Sequence, residues 1–155
     1  MIAVDARSVA NWFIETSESK GDRLSIMELL KLVYISHGWH LEIYDEPLFR
    51  NRIEAWKFGP VIPDVYNEFR GQGVTLQNPS PMFDSADLNE DQLSLLEEIY
   101  EIYGHMPAFK LSDITHESNG PWDVASREYG FFAPIGNDLI RSHYKQKRET
   151  AKKRK

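Results

Sequence analysis

Residues 25–45 read SIMELLKLVYISHGWHLEIYD, and this stretch predicts a single helix at the centre of the fold. Ser25 and Glu28 have the spacing of a capping box, in which each side chain accepts a hydrogen bond from the other residue's backbone N–H. The apolar residues that follow form two stripes at helical spacing. They leave only a narrow polar strip of Glu28, Lys31, Gly38, Glu42 and Asp45. Since a helix that is apolar on most sides is covered on most sides, we expect the rest of the chain to bury it.

Further helices are predicted on both sides of this segment. Asp5 is a suitable N-cap for a first helix, and Asn89 with Gln92 repeats the capping-box spacing before another apolar run. Prolines at the first helical position and cap residues predict the remaining helices, which begin near Pro63, Pro107, Pro121 and Asn137.

The segment Ile53 to Phe58 is rich in strand-forming residues and is followed by a Gly-Pro turn signal. The sequence therefore predicts a mainly α fold. We expect a compact bundle of about six helices around a central buried helix at about 25–45, with a short β element near 49–58.

The composition is that of an ordinary globular domain. The chain has 155 residues, of which 41% are hydrophobic and 12% aromatic, enough for one core. Without cysteine there can be no disulfide or thiolate metal site. Neither a signal peptide nor a run of 18 apolar residues is recognisable, so we expect a cytoplasmic protein with no membrane partner. We predict one domain over residues 1–147, followed by a basic, disordered tail at 148–155.

Charge is distributed unevenly along the chain. From Arg141 to Lys155 there are eight basic residues against Glu149 alone, a net of +7, so the net charge of −6 leaves −13 on the remainder. An acidic body repels phosphate and is suited to a basic protein partner, although it is equally typical of plain solubility. The basic end has three interpretations: a solvated terminus, a contact with nucleic acid such as an operator, or an arm that folds on a partner.

The histidines are the only residues whose pattern suggests a metal site. His37 and His40 share one helix face, and His116 with a carboxylate could complete a ligand set for a metal-dependent enzyme. They lie on an otherwise apolar stripe, however, and the metalloprotease spacing H-E-x-x-H does not occur, so core histidines are the alternative. There is also no nucleophile elbow and no phosphate loop. We predict no catalytic residue, no metal and no cofactor.

Three blocks of sequence carry a family resemblance. They are LKLVYISHGWHL at 30–41 followed by EPLF at 46–49, then IEAWKFGPVIPDVYNEF at 53–69, and finally LSDITH at 111–116 followed by GPW at 120–122. In order and spacing these blocks resemble the Panacea domain of SocA-like antitoxins and GepA-like phage-associated proteins. The resemblance extends over about residues 5–145. One departure is His37, which stands where the family often has glutamine, and this favours a core histidine.

The resemblance implies a mostly helical domain that neutralises a cognate protein toxin by direct binding. It leaves open a proteolytic adaptor that delivers its partner to a protease, or a phage-associated role without an assigned partner. Aromatic side chains are frequent in interface hot spots, and Trp56 beside the Gly-Pro turn is the clearest surface candidate. Our candidate partner-binding residues are Trp56, Lys57, Phe58, Pro60, Asp64, Tyr66, His116 and Trp122.

Overall fold

The computed structural model describes residues 2–153, which form seven α-helices and one small three-stranded sheet. The helices are α1 (Ala6–Ser19), α2 (Ile26–Tyr44), α3 (Pro63–Phe69), α4 (Glu90–Tyr103), α5 (Ala108–Thr115), α6 (Pro121–Tyr129) and α7 (Asn137–Lys153). The strands are β1 (Glu54–Trp56), β2 (Gly59–Val61) and β3 (Ala133–Pro134). The predicted mainly α fold with a short β element is confirmed, with seven helices where about six were expected.

Helix α2 is the central helix of the bundle. Its predicted capping box is present, since the Glu28 N–H donates to Ser25 Oγ over 3.1 Å and the Ser25 N–H donates to Glu28 Oε1 over 2.9 Å. Every residue from Leu29 to Gly38 is buried. Because α1, α4, α5 and α7 all pack against it, α2 supplies the surface on which the bundle assembles.

The middle of the polar strip of α2, at Lys31 and Gly38, is buried. Gly38, in the middle of the strip, lies directly beneath the buried ring of Tyr144 on α7, and a β-carbon at this position would overlap that ring. The absence of a side chain therefore allows the two helices to approach closely at this point.

The acidic residues at the end of the same strip bind the last helix. Arg148 donates to Glu42 over 2.9 Å, and Arg141 donates to Asp45 over 2.8 Å. The part of the strip formed by Gly38, Glu42 and Asp45 is therefore the contact line between α2 and α7. A pattern of residue types could not distinguish a solvated face from a seam lined with small and paired polar residues.

The sheet is built from a hairpin and one added strand. Strand β1 pairs antiparallel with β2 on one side and with β3 on the other. The single strand expected at 53–58 is therefore shorter, and Lys57 and Phe58 form the turn that leads into β2.

The last helix extends into the segment that was predicted as a basic tail. Helix α7 continues through residues 148–153 instead of ending near Lys147, partly because Arg148 is held by Glu42. Residues 154 and 155 of the predicted tail lie outside the described residues. Among residues 2–153, no helix has the combined length and apolarity that crossing a membrane would require.

Candidate partner-binding surface

Exposed aromatic side chains gather around the hairpin tip and the loop that precedes β3. Phe58 is 64% exposed, Phe132 64%, Phe131 56% and Tyr129 76%. We call these four residues, together with the half-buried Trp56, the aromatic surface. The apolar area of such exposed rings stays in contact with water unless a partner covers it. This region is therefore the candidate docking site.

Trp56 anchors this surface to the fold. Its ring packs edge-on against Tyr66 at 5.0 Å and against Phe132 at 5.6 Å between centroids. Its carbonyl accepts a hydrogen bond of 2.7 Å from the Trp122 indole N–H, and Trp122 in turn packs against His116 at 4.1 Å. Four of the predicted residues thus form one connected cluster.

Phe132 has an unusual backbone conformation. Its φ is +71°, a region that side chains with a β-carbon rarely adopt, and a bulky aromatic residue there is a genuine outlier. The N–H of Phe132 donates to the Ala55 carbonyl over 2.7 Å, which holds the loop against β1. Backbone strain of this kind costs about 1–3 kcal/mol and tends to occur at functional sites.

The hairpin tip is held from beneath by a buried cation. Ala55 pairs with Pro60, but the Ala55 carbonyl accepts from Phe132 on the β3 side, so this is a non-hydrogen-bonded pair of the ladder. Proline is tolerated there because no N–H is needed, and the Pro60 carbonyl points away from β1. The ammonium of Lys31, on α2, donates to the carbonyl of Phe58 over 2.9 Å and approaches that of Pro60 at 3.5 Å. Lys31 therefore caps the outer edge of the sheet. Without it, the backbone groups of β2 would be free to pair with another strand.

Gly59 makes room for this arrangement. Its φ is +120°, and a β-carbon there would collide with the Lys31 ammonium and come within 2.9 Å of the His116 ring. Lys31 was placed on the polar strip of α2 because of its residue type, but the structure buries it almost completely. Its burial lowers the pKa of the ammonium to about 8.

This buried lysine predicts a stability that rises with pH. Between about pH 8 and pH 10.5 the unfolded chain keeps the proton of Lys31 while the folded chain loses it, so stability is gained as the pH rises. We expect the free energy of unfolding to increase by about 2 kcal/mol between pH 7.5 and pH 9.5. Urea titrations at the two values measure it. Lys31→Met should abolish most of the increase, and an equal increase in that variant would contradict the assignment.

Two of the predicted site residues lie away from the surface. Pro60 is buried beneath the hairpin, so its carbonyl is used internally. Asp64 is exposed but lies at the start of α3, where it accepts a hydrogen bond of 2.8 Å from the Asn51 amide. Lys57 is exposed, with its ammonium 5.8 Å from the centroid of the Phe58 ring.

Three residues of the surface were not among the predicted ones. Tyr129, Phe131 and Phe132 lie in the segment YGFF at the end of α6 and in the loop that follows, and no binding role was assigned to them from the sequence. Several aromatic residues in a loop, where no periodicity assigns them to a core, are a signal that could have identified them.

Two ion pairs lie on or beside the elements that carry the aromatic surface. Arg52 pairs with Glu54 at 2.8 Å on β1, and Arg127 lies 3.6 Å from Asp123 on α6. The acidic character of the body is found instead on α4, whose exposed acids are Glu90, Asp91, Glu97, Glu98 and Glu101. Helix α4 packs on α2, whereas the sheet packs on α2, α5 and α6.

The three histidines considered as metal ligands are engaged separately. His37 Nε2 lies 2.9 Å from Asn137 Oδ1, and His40 Nδ1 lies 2.7 Å from the Glu46 carbonyl. His116 belongs to the cluster under the hairpin. Within residues 2–153 no group of three or more His, Asp or Glu side chains is placed to hold a metal ion.

One spatial pair resembles a nucleophile and its base. Ser112 Oγ lies 3.1 Å from His116 Nδ1, one helical turn away on α5. The same nitrogen also lies 2.5 Å from the Ser112 carbonyl, which can only accept a hydrogen bond. Nδ1 must therefore carry the proton and donate it to the backbone, so it cannot take a proton from the serine.

Burial of His37 predicts a loss of stability in acid. The pKa of its imidazole is lowered to about 4 by burial, against the opposing hydrogen bond to Asn137. The unfolded chain therefore takes up a proton that the folded chain refuses as the pH falls from about 6.5 to 4, and stability is lost over this window. We expect His37 to contribute a loss of about 2 kcal/mol between pH 7 and pH 4.5.

The substitution His37→Gln tests this contribution. Its amide can still donate to Asn137, so urea titrations of the variant should show a flatter pH dependence. His105→Gln, at an exposed histidine, is the matched control and should behave like the wild type. An unchanged slope in His37→Gln would refute the prediction.

Comparison with known proteins places the chain in a family. The sequence model described as "Antitoxin SocA-like, Panacea domain" matches residues 29–123. The chain belongs to this family. Antitoxin SocA of Caulobacter vibrioides (strain NA1000 / CB15N) is 33% identical over 144 aligned residues, which cover 86% of this chain and 77% of the relative. No solved structure matches this chain significantly.

The matched segment does not include the whole aromatic surface of this SocA-like protein. It contains Trp56, Phe58, His116 and Trp122, which build the hairpin and its support. The strained loop with Phe132, and all of α7, follow it. The Panacea segment therefore supplies the scaffold of the surface, and the residues after it complete the exposed part.

Proposed function

We propose that this Panacea-domain protein is the antitoxin of a toxin–antitoxin pair and neutralises its cognate protein toxin by binding it directly through the aromatic surface. Membership of the SocA-like family and the similarity to a named antitoxin support the role. The aromatic surface supports the mode of action. The single observation that carries the proposal is the exposed Phe132 ring, presented by a strained backbone against a tryptophan anchor.

The size of the surface suits a protein partner. With roughly 200 Å² for each aromatic side chain, the four exposed rings present about 500 Å² of apolar area. The largest apolar patch on a typical soluble monomer is about 300–600 Å² and is often a functional site. A rigid support also matters, because ordering mobile side chains on binding would reduce the affinity.

The mode of recognition follows from the capped sheet edge. Lys31 occupies the carbonyl groups that a partner strand would need at β2, and prolines stand in both outer strands. The partner therefore does not extend the sheet. Its apolar side chains pack on the rings of Phe58, Phe131 and Phe132, and this blocks the toxin surface that they occupy.

The decisive experiment uses the gene adjacent to the one that encodes this chain. The neighbouring protein is expressed alone and together with this protein, and growth is followed. We expect growth arrest by the neighbour alone and recovery on co-expression, with a stable complex of the two purified proteins. A neighbour that is harmless on its own removes the basis of the proposal.

The same cells distinguish occlusion from delivery to a protease. Under direct neutralisation, the half-life of the toxin stays constant or lengthens when this protein is present. Should the half-life shorten in a protease-dependent manner, the chain acts as a proteolytic adaptor and the occlusion mechanism is wrong.

A further inference from the structure

The last part of α7 is a helix without a core of its own. Tyr144 is the final buried residue, and helix α7 continues to Lys153 with half-buried or exposed side chains only. We call residues 145–153 the basic helix end. At 1.5 Å per residue it extends over about 12 Å. It contains Lys145, Lys147, Arg148, Lys152 and Lys153 against Glu149 as the one acid.

Two of these cations fix the basic helix end to the body. Lys147 pairs with Glu117 on the loop before α6, and Arg148 pairs with Glu42, whose side chain is only 9% exposed. Because their charges are compensated, these two residues act as anchors. The helix end is therefore held in a defined place on the surface.

The other cations are available to a partner. Lys145, Lys152 and Lys153 are exposed and make no ion pair within residues 2–153. In the sequence they are followed directly by Arg154 and Lys155. Residues 145–155 carry a net charge of +6, so a net of −12 remains on residues 1–144. Within the basic helix end, three lysines without an ion pair thus stand against one acid, Glu149.

We infer that the basic helix end binds the phosphate backbone of double-stranded nucleic acid. A protein partner fits this surface less well. Protein interfaces are depleted in lysine and depend on aromatic or other apolar anchors, and from residue 145 onward Ala151 is the only apolar side chain. Phosphate contacts require only lysine and arginine, and they give affinity without sequence preference.

The charge count fixes the expected strength and salt dependence. About three phosphate contacts, from Lys145, Lys152 and Lys153, predict that log K falls with log salt at a slope near −2.7, or about 40-fold between 50 and 200 mM. The acidic helix α4 packs on α2 and opposes approach of phosphate elsewhere on the body. Binding is therefore restricted to the basic helix end and is micromolar or weaker at physiological salt.

Fluorescence anisotropy with a labelled 24-base-pair DNA duplex of arbitrary sequence tests this inference. The full-length protein is titrated at 50, 100 and 200 mM KCl. We expect saturable binding at 50 mM with the predicted slope, and at least a tenfold loss of affinity in the variant Lys152→Glu/Lys153→Glu. The matched control, Lys20→Glu/Lys110→Glu, changes the net charge equally at exposed positions on other parts of the chain and should bind like the wild type.

Three results would overturn the inference: no saturable binding at 50 mM, equal losses in the two double variants, or displacement of the duplex by polyglutamate as readily as by unlabelled DNA. The last would assign the surface to an acidic protein. Binding of the toxin by the Lys152→Glu/Lys153→Glu variant is measured in parallel and should be unchanged. A failure of DNA binding and a failure of toxin binding are therefore distinguishable, and the first does not depend on the proposed function.

Discussion

Replacing Phe132 by glycine is expected to weaken toxin binding by at least tenfold while leaving the free energy of unfolding within about 1 kcal/mol of the wild-type value. The two effects separate because Phe132 is unfavourable for the fold. Its φ of +71° is adopted by glycine at no steric cost, so the substitution relieves backbone strain. That gain offsets the lost contact with Trp56 and the greater entropy of the unfolded chain.

The substitution removes apolar ring area that is expected to contribute to toxin binding but contributes little to the stability of the fold. The Phe132 ring is 64% exposed in the free protein, so under the proposed function most of its apolar area becomes buried only when the toxin binds. Truncation of a central aromatic hot spot costs about 2 kcal/mol or more, which corresponds to roughly 30-fold in the dissociation constant.

Isothermal titration calorimetry with the purified toxin and urea unfolding of the free protein measure the two quantities. Phe58→Ala, a second variant on the aromatic surface, should also weaken binding. Ile102→Ala is the matched control, because Ile102 is similarly exposed but lies on α4. Unchanged affinity in both aromatic variants would show that the toxin binds elsewhere, even if the protein proves to be an antitoxin.

Gly38→Ala is expected to destabilise the protein by up to about 2 kcal/mol, the opposite of the usual effect. In an exposed helix interior, the change from glycine to alanine stabilises by about 1 kcal/mol. At Gly38 the new methyl group would overlap the buried ring of Tyr144. Helices α2 and α7 must then separate or Tyr144 must leave its rotamer, and overpacking of this kind costs about 1–3 kcal/mol.

A double-mutant cycle isolates this contact. Urea unfolding is compared for the wild type, Gly38→Ala, Tyr144→Leu and the combination of both. We expect Gly38→Ala to cost at least about 1 kcal/mol less in the Tyr144→Leu background, because the smaller side chain leaves room for the methyl group. A stabilising Gly38→Ala substitution would mean that the two helices do not approach as closely as described.

Much of the fold could be predicted because its signals are local. Capping boxes at Ser25 and Asn89 fix where α2 and α4 begin, since they depend on residues three positions apart. The apolar stripes of α2 identified the central helix for a similar reason. By contrast, the hairpin and the continuation of α7 depend on partners far away in sequence, such as Lys31 for the edge of β2 and Glu42 for Arg148.

By itself, the sequence determined that this chain forms a mainly helical bundle around residues 25–45 and carries the family's motif blocks, because helix capping, apolar periodicity and motif order are properties of neighbouring residues. Only the tertiary structure decided which polar residues of α2 are buried, and which aromatic residues are exposed. Residue type does not reveal whether the Lys31 ammonium is solvated or binds two carbonyl groups. Nor does it reveal whether Phe132 lies in the core or on a strained loop. Contacts between distant segments settle both questions, through the edge cap of Lys31 and the packing of Phe132 on Trp56.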